Sequence, residues 1–203
     1  MNKEEFISKI WEYYLMLEEN FYYTFKYVEP CEDNDTTYSK EYGKMLLSIC
    51  SEIDITCKEL CKVIENKNSE EVSNYNILNY KQVISINDNF MNESCTFLKS
   101  NEILQPWKEW NMENSPSWWK DYNSLKHDRL LKCNYKLGNY YNVKNSIAGL
   151  YIICRILYRK QFDKEPFPCS RLFKMNNWTE YRQLGGGFFS RIESNGNMGI
   201  YTG

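Results

Sequence analysis

Two long segments, in which apolar residues recur with the period of an α-helix, constrain the fold most. The first begins at Thr37 or Ser39, either of which could cap a helix, and continues to about Asn66. The second extends from about Tyr140 to Phe162. Stripes of this length predict two central helices of a bundle. The stripe residues are Met45, Leu46, Ile49, Cys50, Ile53, Cys57, Leu60, Cys61 and Ile64 in the first segment, and Val143, Ile147, Leu150, Ile152, Ile153, Ile156 and Leu157 in the second.

Two further helices are predicted from the same kind of pattern. Residues 3 to 28 carry large apolar side chains at helical spacing, and the polar stretch "EPCEDNDTT" then ends the pattern. The stretch "SPSWWKDYNSLKH" starts another helix, with Ser115 or Ser117 near its cap and Pro116 in its first turn. The predicted fold class is therefore all-α, an antiparallel helical bundle.

Two regions depart from this texture. In residues 67–112, "NKNSEEVSNYN" is polar, while "KQVISIN" and "SCTFLKS" are typical of short strands with polar "DNFMNE" between them. We expect a small β-hairpin or an irregular insert there. Residues 164–203 read as a C-terminal arm of loops with short strands. A chain of 203 residues suits one helical domain, residues 1–203, carrying these two additions.

The charge balance argues against a general attraction to polyanions. Lys and Arg number 25 against 27 Asp and Glu, so an anionic partner must be held by a local patch. The longest apolar run, "IAGLYIIC", is too short to span a bilayer, and "MNKEEFISKI" lacks the apolar run of a signal peptide. We therefore expect a cytoplasmic protein with no membrane partner. Its abundance of Lys and Asn is typical of an AT-rich genome, bacterial or phage.

The eight cysteines predict buried, reduced thiols and no disulfide framework. Cys50, Cys57 and Cys61 share one face of a predicted helix, the others are scattered, and no Cys-x-x-Cys pair occurs. The single histidine, His127, cannot complete a Cys/His zinc site. We expect neither a metal nor another cofactor.

The stretch "SWWKDYNSLKHDRLL" carries the candidate site. On a helix, Asn123 and His127 face the same way, with Lys126 beside them. His127 and Arg129 would be about 200° apart on a continuous helix, so they can share a site only if the helix ends near His127. His127 could act as a general acid or base near neutral pH, while Lys126 and Arg129 could hold a phosphate. A structural role in hydrogen bonds and ion pairs between helices is an equal alternative.

The pattern "WWxxYNxxKHxR", followed by "NVKNSIAGLYII" and preceded by "LLSICSEID", resembles bacterial proteins related to the HEPN superfamily (higher eukaryotes and prokaryotes nucleotide-binding). The resemblance covers residues 39–66 and 107–160. It implies a bundle of four to five helices, a homodimer, and metal-independent ribonuclease activity in antiviral defence or toxin–antitoxin systems. The family motif has an arginine, a polar residue and then a histidine. Asn123 and His127 match its last two positions.

Tyr122 stands where the family has its arginine. The resemblance implies that this arginine stabilises charge on the phosphate while the histidine assists proton transfer. A tyrosine donates a hydrogen bond but cannot neutralise a phosphoryl oxygen. Lys126 or Arg129 could take over that role, or the chain could have lost nuclease activity and kept only binding.

Buried acids and aromatic residues complete the list of candidates. Glu52 lies in the middle of an apolar stripe and needs a partner, for which His127 and Arg129 are the candidates. Such a pair would orient the site or simply be a salt bridge inside the bundle. The tryptophans could stack on bases or fill the core, and the latter is more usual. The four of the six tryptophans that this concerns are Trp107, Trp110, Trp118 and Trp119.

Two classes of function therefore stay open. The first is a HEPN-like protein of a bacterial or phage conflict system that binds or cleaves RNA, or binds a nucleotide. The second is a non-catalytic interaction protein, such as an immunity protein, an inhibitor or a scaffold subunit of a defence complex.

Overall fold

The computed structural model describes residues 1–87, 90–110, 114–162, 165–176, 178, 180–185, 188–192 and 198–202. Its α-helices are α1 (Lys3–Phe6), α2 (Glu12–Tyr23), α3 (Lys40–Glu65), α4 (Ile77–Asn87), α5 (Ser117–Asp128) and α6 (Tyr140–Gln161). A π-helical turn, Ile7–Trp11, joins α1 to α2, and 3₁₀ turns occupy Thr24–Lys26, Glu32–Asn34, Phe90–Asn92 and Leu131–Leu137. The strands are β1 (Cys95–Phe97), β2 (Glu102–Leu104), β3 (Phe173–Met175), β4 (Glu180–Gly185), β5 (Phe188–Ile192) and β6 (Met198–Thr202).

Helices α3 and α6 form the centre of the bundle, as their apolar stripes predict. They pack along each other, and α2 and α5 pack against both of them. The Ser39 hydroxyl caps α3 by accepting a hydrogen bond from the Tyr42 amide at 3.0 Å. Every residue of α6 from Val143 to Tyr158 is buried. Because the other elements enclose α6, it is the element on which the core is built.

The predicted insert is partly helical, so one prediction is wrong. The segment "KQVISIN" belongs to α4 and not to a strand. Tyr80 and Ile84, one helical turn apart, are both fully buried, and the Tyr80 hydroxyl donates to Asp54 of α3. This packing outweighs the β preference of the branched residues. The insert does contain a small hairpin, but it is formed by β1, within "SCTFLKS", and by β2, which was not predicted; residues 88–89 and 111–112 of the insert lie outside the described residues.

The C-terminal arm contributes more strand than an all-α bundle would have. β1 pairs antiparallel with both β2 and β3, so residues of the insert and of the arm share one sheet. β4, β5 and β6 form a second antiparallel sheet of three strands. The chain is therefore mostly helical with small antiparallel sheets, and the arm is tied into the body through β3.

Among the described residues, none of the helices is both long enough and apolar enough to cross a lipid bilayer. No disulfide links the eight cysteines, all of which lie within the described part of the chain. Cys50, Cys57, Cys61, Cys95 and Cys154 are buried, and burial raises the pKa of each of these thiols. These five thiols are therefore protonated and unreactive at neutral pH.

Candidate functional site

Helix α5 presents one face to the core and ends where the candidate residues begin. Trp118, Trp119, Tyr122 and Leu125 are buried, because their spacing of three and four residues places them on one side of the helix. The helix ends at Asp128, and Arg129 is its C-terminal cap. His127 and Arg129 can share a site only if the helix ends near His127, and α5 ends one residue after it.

An open depression of about 420 Å³ lies at this helix end. It is lined by Leu47 of α3 and by residues 125–131, which include Lys126, His127 and Arg129. These three side chains are exposed. We call the group Lys126, His127 and Arg129 the α5-end surface. One side of the depression is thus Leu47 of α3, and the other is a chain segment with three basic residues.

No described residue forms a hydrogen bond or an ion pair with the side chain of His127 or Arg129. Lys126 lies 5.5 Å from the centre of the Tyr122 ring, a cation–π contact that leaves its ammonium group at the surface. Asp128 is the only acid that lines the described depression. Basic groups at the end of a helix are also favoured by the helix dipole, which accounts for part of their placement without any ligand.

Tyr122 and Asn123 are less available than the motif predicts. The Tyr122 side chain is buried, and its ring centre lies 5.1 Å from that of Trp119. The Asn123 amide donates a hydrogen bond to the Trp119 carbonyl oxygen at 3.1 Å. Two of the three positions that resemble the HEPN motif therefore have structural contacts. His127 alone of those positions is exposed.

Glu52 does not pair with His127 or Arg129, so that prediction is corrected. Glu52 is buried, and no hydrogen bond or ion pair to it is found among the described residues. Leu47 borders the depression, and five residues at 100° each place Glu52 about 140° around α3 from Leu47. Glu52 instead lies near Cys154 of α6, whose thiol pKa is raised first by burial and then by the charge of Glu52. Burial raises the pKa of its carboxyl group to about 7.

The tryptophans serve the core and cannot stack on bases. Trp107, Trp110, Trp118 and Trp119 are all buried. The Trp107 indole donates to the Gly149 carbonyl oxygen at 3.2 Å, and the Trp118 indole donates to the Pro106 carbonyl oxygen at 2.8 Å. These contacts hold the end of the insert and the start of α5 against α6. Their role is structural.

Sequence reasoning missed the apolar part of the candidate site. Leu130 and Leu131 follow Arg129 and are 85% and 60% exposed, respectively. Lys132 and Cys133 then adopt left-handed backbone conformations, with φ of 48° and 62°, which break the 3₁₀ turns of Leu131–Leu137. The one feature of the sequence that could have indicated this surface is the pair of leucines between Arg129 and Lys132, which belongs to no predicted helical stripe. Its exposure depends on the kink, which no pattern in the sequence predicts.

The site offers no ligand set for a metal ion. No group of three or more His, Cys, Asp or Glu side chains in the described part of the chain is placed to hold one. The Lys, His and Arg of the α5-end surface are instead suited to an anion, because each presents N–H donors. What this arrangement can do chemically is bind a phosphate and, through His127, move a proton.

Comparison with known proteins offers no relative from which residue roles can be transferred. No family model, curated protein or solved structure matches the chain. The resemblance to the HEPN superfamily therefore stays a prediction from the sequence patterns, in which Asn123 and His127 match the motif.

Proposed function

We propose that the protein binds RNA without a metal ion through the α5-end surface, as a HEPN-like component of a bacterial or phage conflict system. The observation that carries the proposal is the exposure of Lys126, His127 and Arg129 together around one open depression. None of them has a carboxylate partner among the described residues. Exposed cations that are not used for folding can neutralise phosphates and release counterions, which is the main source of affinity for RNA.

Binding is better supported than cleavage. Cleavage needs a proton carrier and a group that stabilises charge on the phosphate. His127 can carry the proton, but Tyr122, at the family's arginine position, is buried against Trp119. Arg129 lines the same depression as His127 and is the remaining candidate for the second role. We therefore assign Arg129 and Lys126 to phosphate binding, and His127 to catalysis if cleavage occurs.

The test is the affinity of the full chain for a labelled single-stranded RNA, measured by fluorescence anisotropy at several salt concentrations. Lys126→Gln with Arg129→Gln should weaken binding and reduce the slope of log K against log salt by about 1.4, because each lost phosphate contact contributes roughly 0.7 on a single strand. The matched control is Lys3→Gln with Lys108→Gln, which removes the same charge from exposed lysines elsewhere. An unchanged affinity and slope would overturn the proposal.

A cleavage assay separates the two forms of the proposal. If the protein cuts RNA, His127→Ala should lower the rate by about 10²–10⁴, the typical contribution of a general acid or base. Binding of RNA should be nearly retained, since Lys126 and Arg129 remain. If the wild type binds RNA but does not cleave it in the presence of EDTA, only the binding form of the proposal remains.

The second candidate is a non-catalytic interaction protein, and the exposed leucines favour it. Leu130 and Leu131 beside Leu47 form an apolar surface of the kind that protein partners cover. The expected homodimer would use this surface. In light scattering after size exclusion, Leu130→Ser with Leu131→Ser should convert a dimer to a monomer. A wild type that stays monomeric at high concentration would argue against self-association.

A further inference from the structure

A second group of basic and aromatic side chains lies at the C-terminal end of α2 and shares no residue with the α5-end surface. The guanidinium carbon of Arg171 is 4.3 Å from the centre of the Tyr22 ring, and the Lys99 ammonium is 4.8 Å from it. Lys26 lies 4.8 Å from the centre of the Tyr23 ring. We call this group the α2-end surface; its members are Tyr22, Tyr23, Lys26, Tyr27, Lys99 and Arg171.

The backbones that carry the two cations are held firmly. Lys99 lies in the turn between β1 and β2, where the Asn101 amide donates to the Phe97 carbonyl oxygen at 2.8 Å. The Leu98 amide donates to the Leu172 carbonyl oxygen at 2.8 Å, which joins that turn to the segment of Arg171. The Arg171 amide in turn donates to the buried Glu18 carboxylate at 3.0 Å. The two charges are therefore placed before any ligand arrives, which lowers the entropy cost of binding.

The two cations lie close together. Because both lie within 5 Å of one ring centre, Lys99 and Arg171 are at most about 10 Å apart, roughly the distance over which charges interact at 0.1 M salt. Neither forms an ion pair with a carboxylate of the described residues. Two neighbouring positive charges repel each other, and a bound anion relieves that repulsion. In a chain of net charge −2, this is a local exception.

Exposed aromatic rings follow Tyr22 in the chain, and the Tyr23 ring centre lies 6.5 Å from that of Tyr22. Tyr27 is 87% exposed and Tyr23 is 48% exposed. The Tyr23 hydroxyl donates to Glu19 at 3.2 Å through the edge of the ring, and Lys26 lies over one face, so stacking on a base would use the other face. Tyr22 itself is fixed by edge contact with Phe25, with ring centres 5.7 Å apart. Exposed tyrosines interleaved with cations are the combination that binds single strands, because bases stack on the rings and phosphates pair with the cations.

We propose that the α2-end surface binds single-stranded nucleic acid, with Lys99 and Arg171 contacting phosphates and Tyr23 and Tyr27 stacking on bases. An acidic peptide would use the cations but would leave the tyrosine faces without a planar partner. The proposal stands on its own contacts and does not depend on the α5-end surface. Since neither stacking nor phosphate contact uses the 2′-hydroxyl, RNA and DNA strands should bind with similar affinity.

The experiment measures binding of the full chain to labelled 12-nucleotide RNA and DNA of mixed sequence by fluorescence anisotropy. Lys99→Gln with Arg171→Gln should weaken binding of both strands at least tenfold and lower the salt slope by about 1.4. Tyr27→Ala should weaken binding about tenfold without changing the slope, because it removes stacking and no charge. The control pair Lys3→Gln with Lys108→Gln should bind like the wild type, and circular dichroism of every variant confirms folding.

The outcomes separate the two surfaces. Loss of binding in the Lys99 and Arg171 variant but not in the Lys126 and Arg129 variant supports the α2-end surface and removes the α5-end proposal; the reverse overturns the present one. No binding of either strand by the wild type also overturns it. If a poly-glutamate peptide binds as tightly, and Tyr27→Ala has no effect on the strands, the surface docks acidic protein, and the assignment to nucleic acid is wrong.

Discussion

The charged residues inside the bundle and those at the end of α5 differ in whether they have partners. Inside, Lys144 of α6 is 1% exposed and contacts Asp35 at 3.0 Å and Glu102 at 2.8 Å. The Glu18 carboxylate of α2 accepts hydrogen bonds from the Tyr14 and Ser170 hydroxyls and from two backbone amides. At the end of α5, His127 and Arg129 have no such contacts with described residues.

This difference separates charges that build the fold from charges that are available to a ligand. A buried charge without partners costs several kcal/mol. Removing one member of an interior pair therefore destabilises the fold, because the other member is left buried and uncompensated. An exposed charge costs little to keep and little to remove. Removing a charge should therefore change stability in the first region and binding in the second. Glu52 lies between the two cases, because it is buried without a described partner.

The largest effect should come from Lys144→Ala. The change leaves Asp35 and Glu102 without their shared cation, so the free energy of unfolding should fall by about 3–5 kcal/mol. Urea denaturation followed by circular dichroism measures it. The control is Lys44→Ala, which breaks an exposed pair with Glu41, 2.9 Å long, and should cost about 0–1 kcal/mol. Equal losses of unfolding free energy in the two variants would show that interior and exposed charges do not differ in their contribution to stability.

Glu18→Gln should have the next largest effect. The amide nitrogen that replaces one carboxylate oxygen faces donors such as the Arg171 amide, so the free energy of unfolding should fall by about 2–3 kcal/mol. In the Glu18→Gln variant, hydrogen exchange should also be faster in the segment 170–172 than in α6. If both segments open equally, the segment is not held by Glu18 separately from the rest of the fold.

Glu52 predicts a dependence of stability on pH. Burial raises the pKa of its carboxyl in the folded chain to about 7, above the ordinary value of 4.5. The folded state therefore binds more protons between those values, and the contribution of Glu52 to stability is complete below pH 4.5 and is lost as the pH rises through 7. Glu52→Gln should be about 1–2 kcal/mol more stable than the wild type at pH 8 and nearly equal to it at pH 5.

Denaturation of both proteins at the two pH values measures this effect. Glu12→Gln, a change of an exposed acid, is the matched control and should show no such difference between pH 5 and pH 8. A Glu52→Gln variant that is destabilised at pH 8 would mean that the carboxylate has a partner and belongs with Glu18 and Lys144.

The smallest effect on stability should come from His127→Ala. The side chain is exposed and makes no hydrogen bond to a described residue, so the free energy of unfolding should change by less than about 0.5 kcal/mol. A thermal melt checks this change. A loss of more than about 1 kcal/mol would show that His127 is structural and would remove it from the candidate site.

The helices with long apolar stripes were predictable, and the elements placed by tertiary contacts were not. α3 and α6 agree with the prediction because one face of each is continuously apolar over many turns. α4 was mistaken for a strand, since its branched residues favour β structure and only its contact with α3 makes it helical. The pairing of β1 with β3 joins residues about 80 positions apart, which no local pattern indicates.

The sequence predicted where the candidate site lies but not all of the residues that line it. The end of α5 and the exposure of His127 agree with what a shared site with Arg129 requires. The helical period alone shows that Leu47 and Glu52 lie on different sides of α3, yet only the packing tells which side faces α5. That is why Glu52 was assigned to the wrong neighbours. The exposed Leu130 and Leu131 depend on a backbone kink, which spacing does not encode.

During synthesis, the first helical segment can contact the C-terminal arm only after the arm has been made. The Trp11 indole donates to the Pro168 carbonyl oxygen at 2.7 Å, across 157 positions of sequence. At 5–20 residues per second, a ribosome needs roughly 8–30 seconds to supply that partner. During this interval the aromatic face of the N-terminal segment has no arm to cover it. Deletion of residues 164–203 should therefore leave that face exposed and increase aggregation of the product.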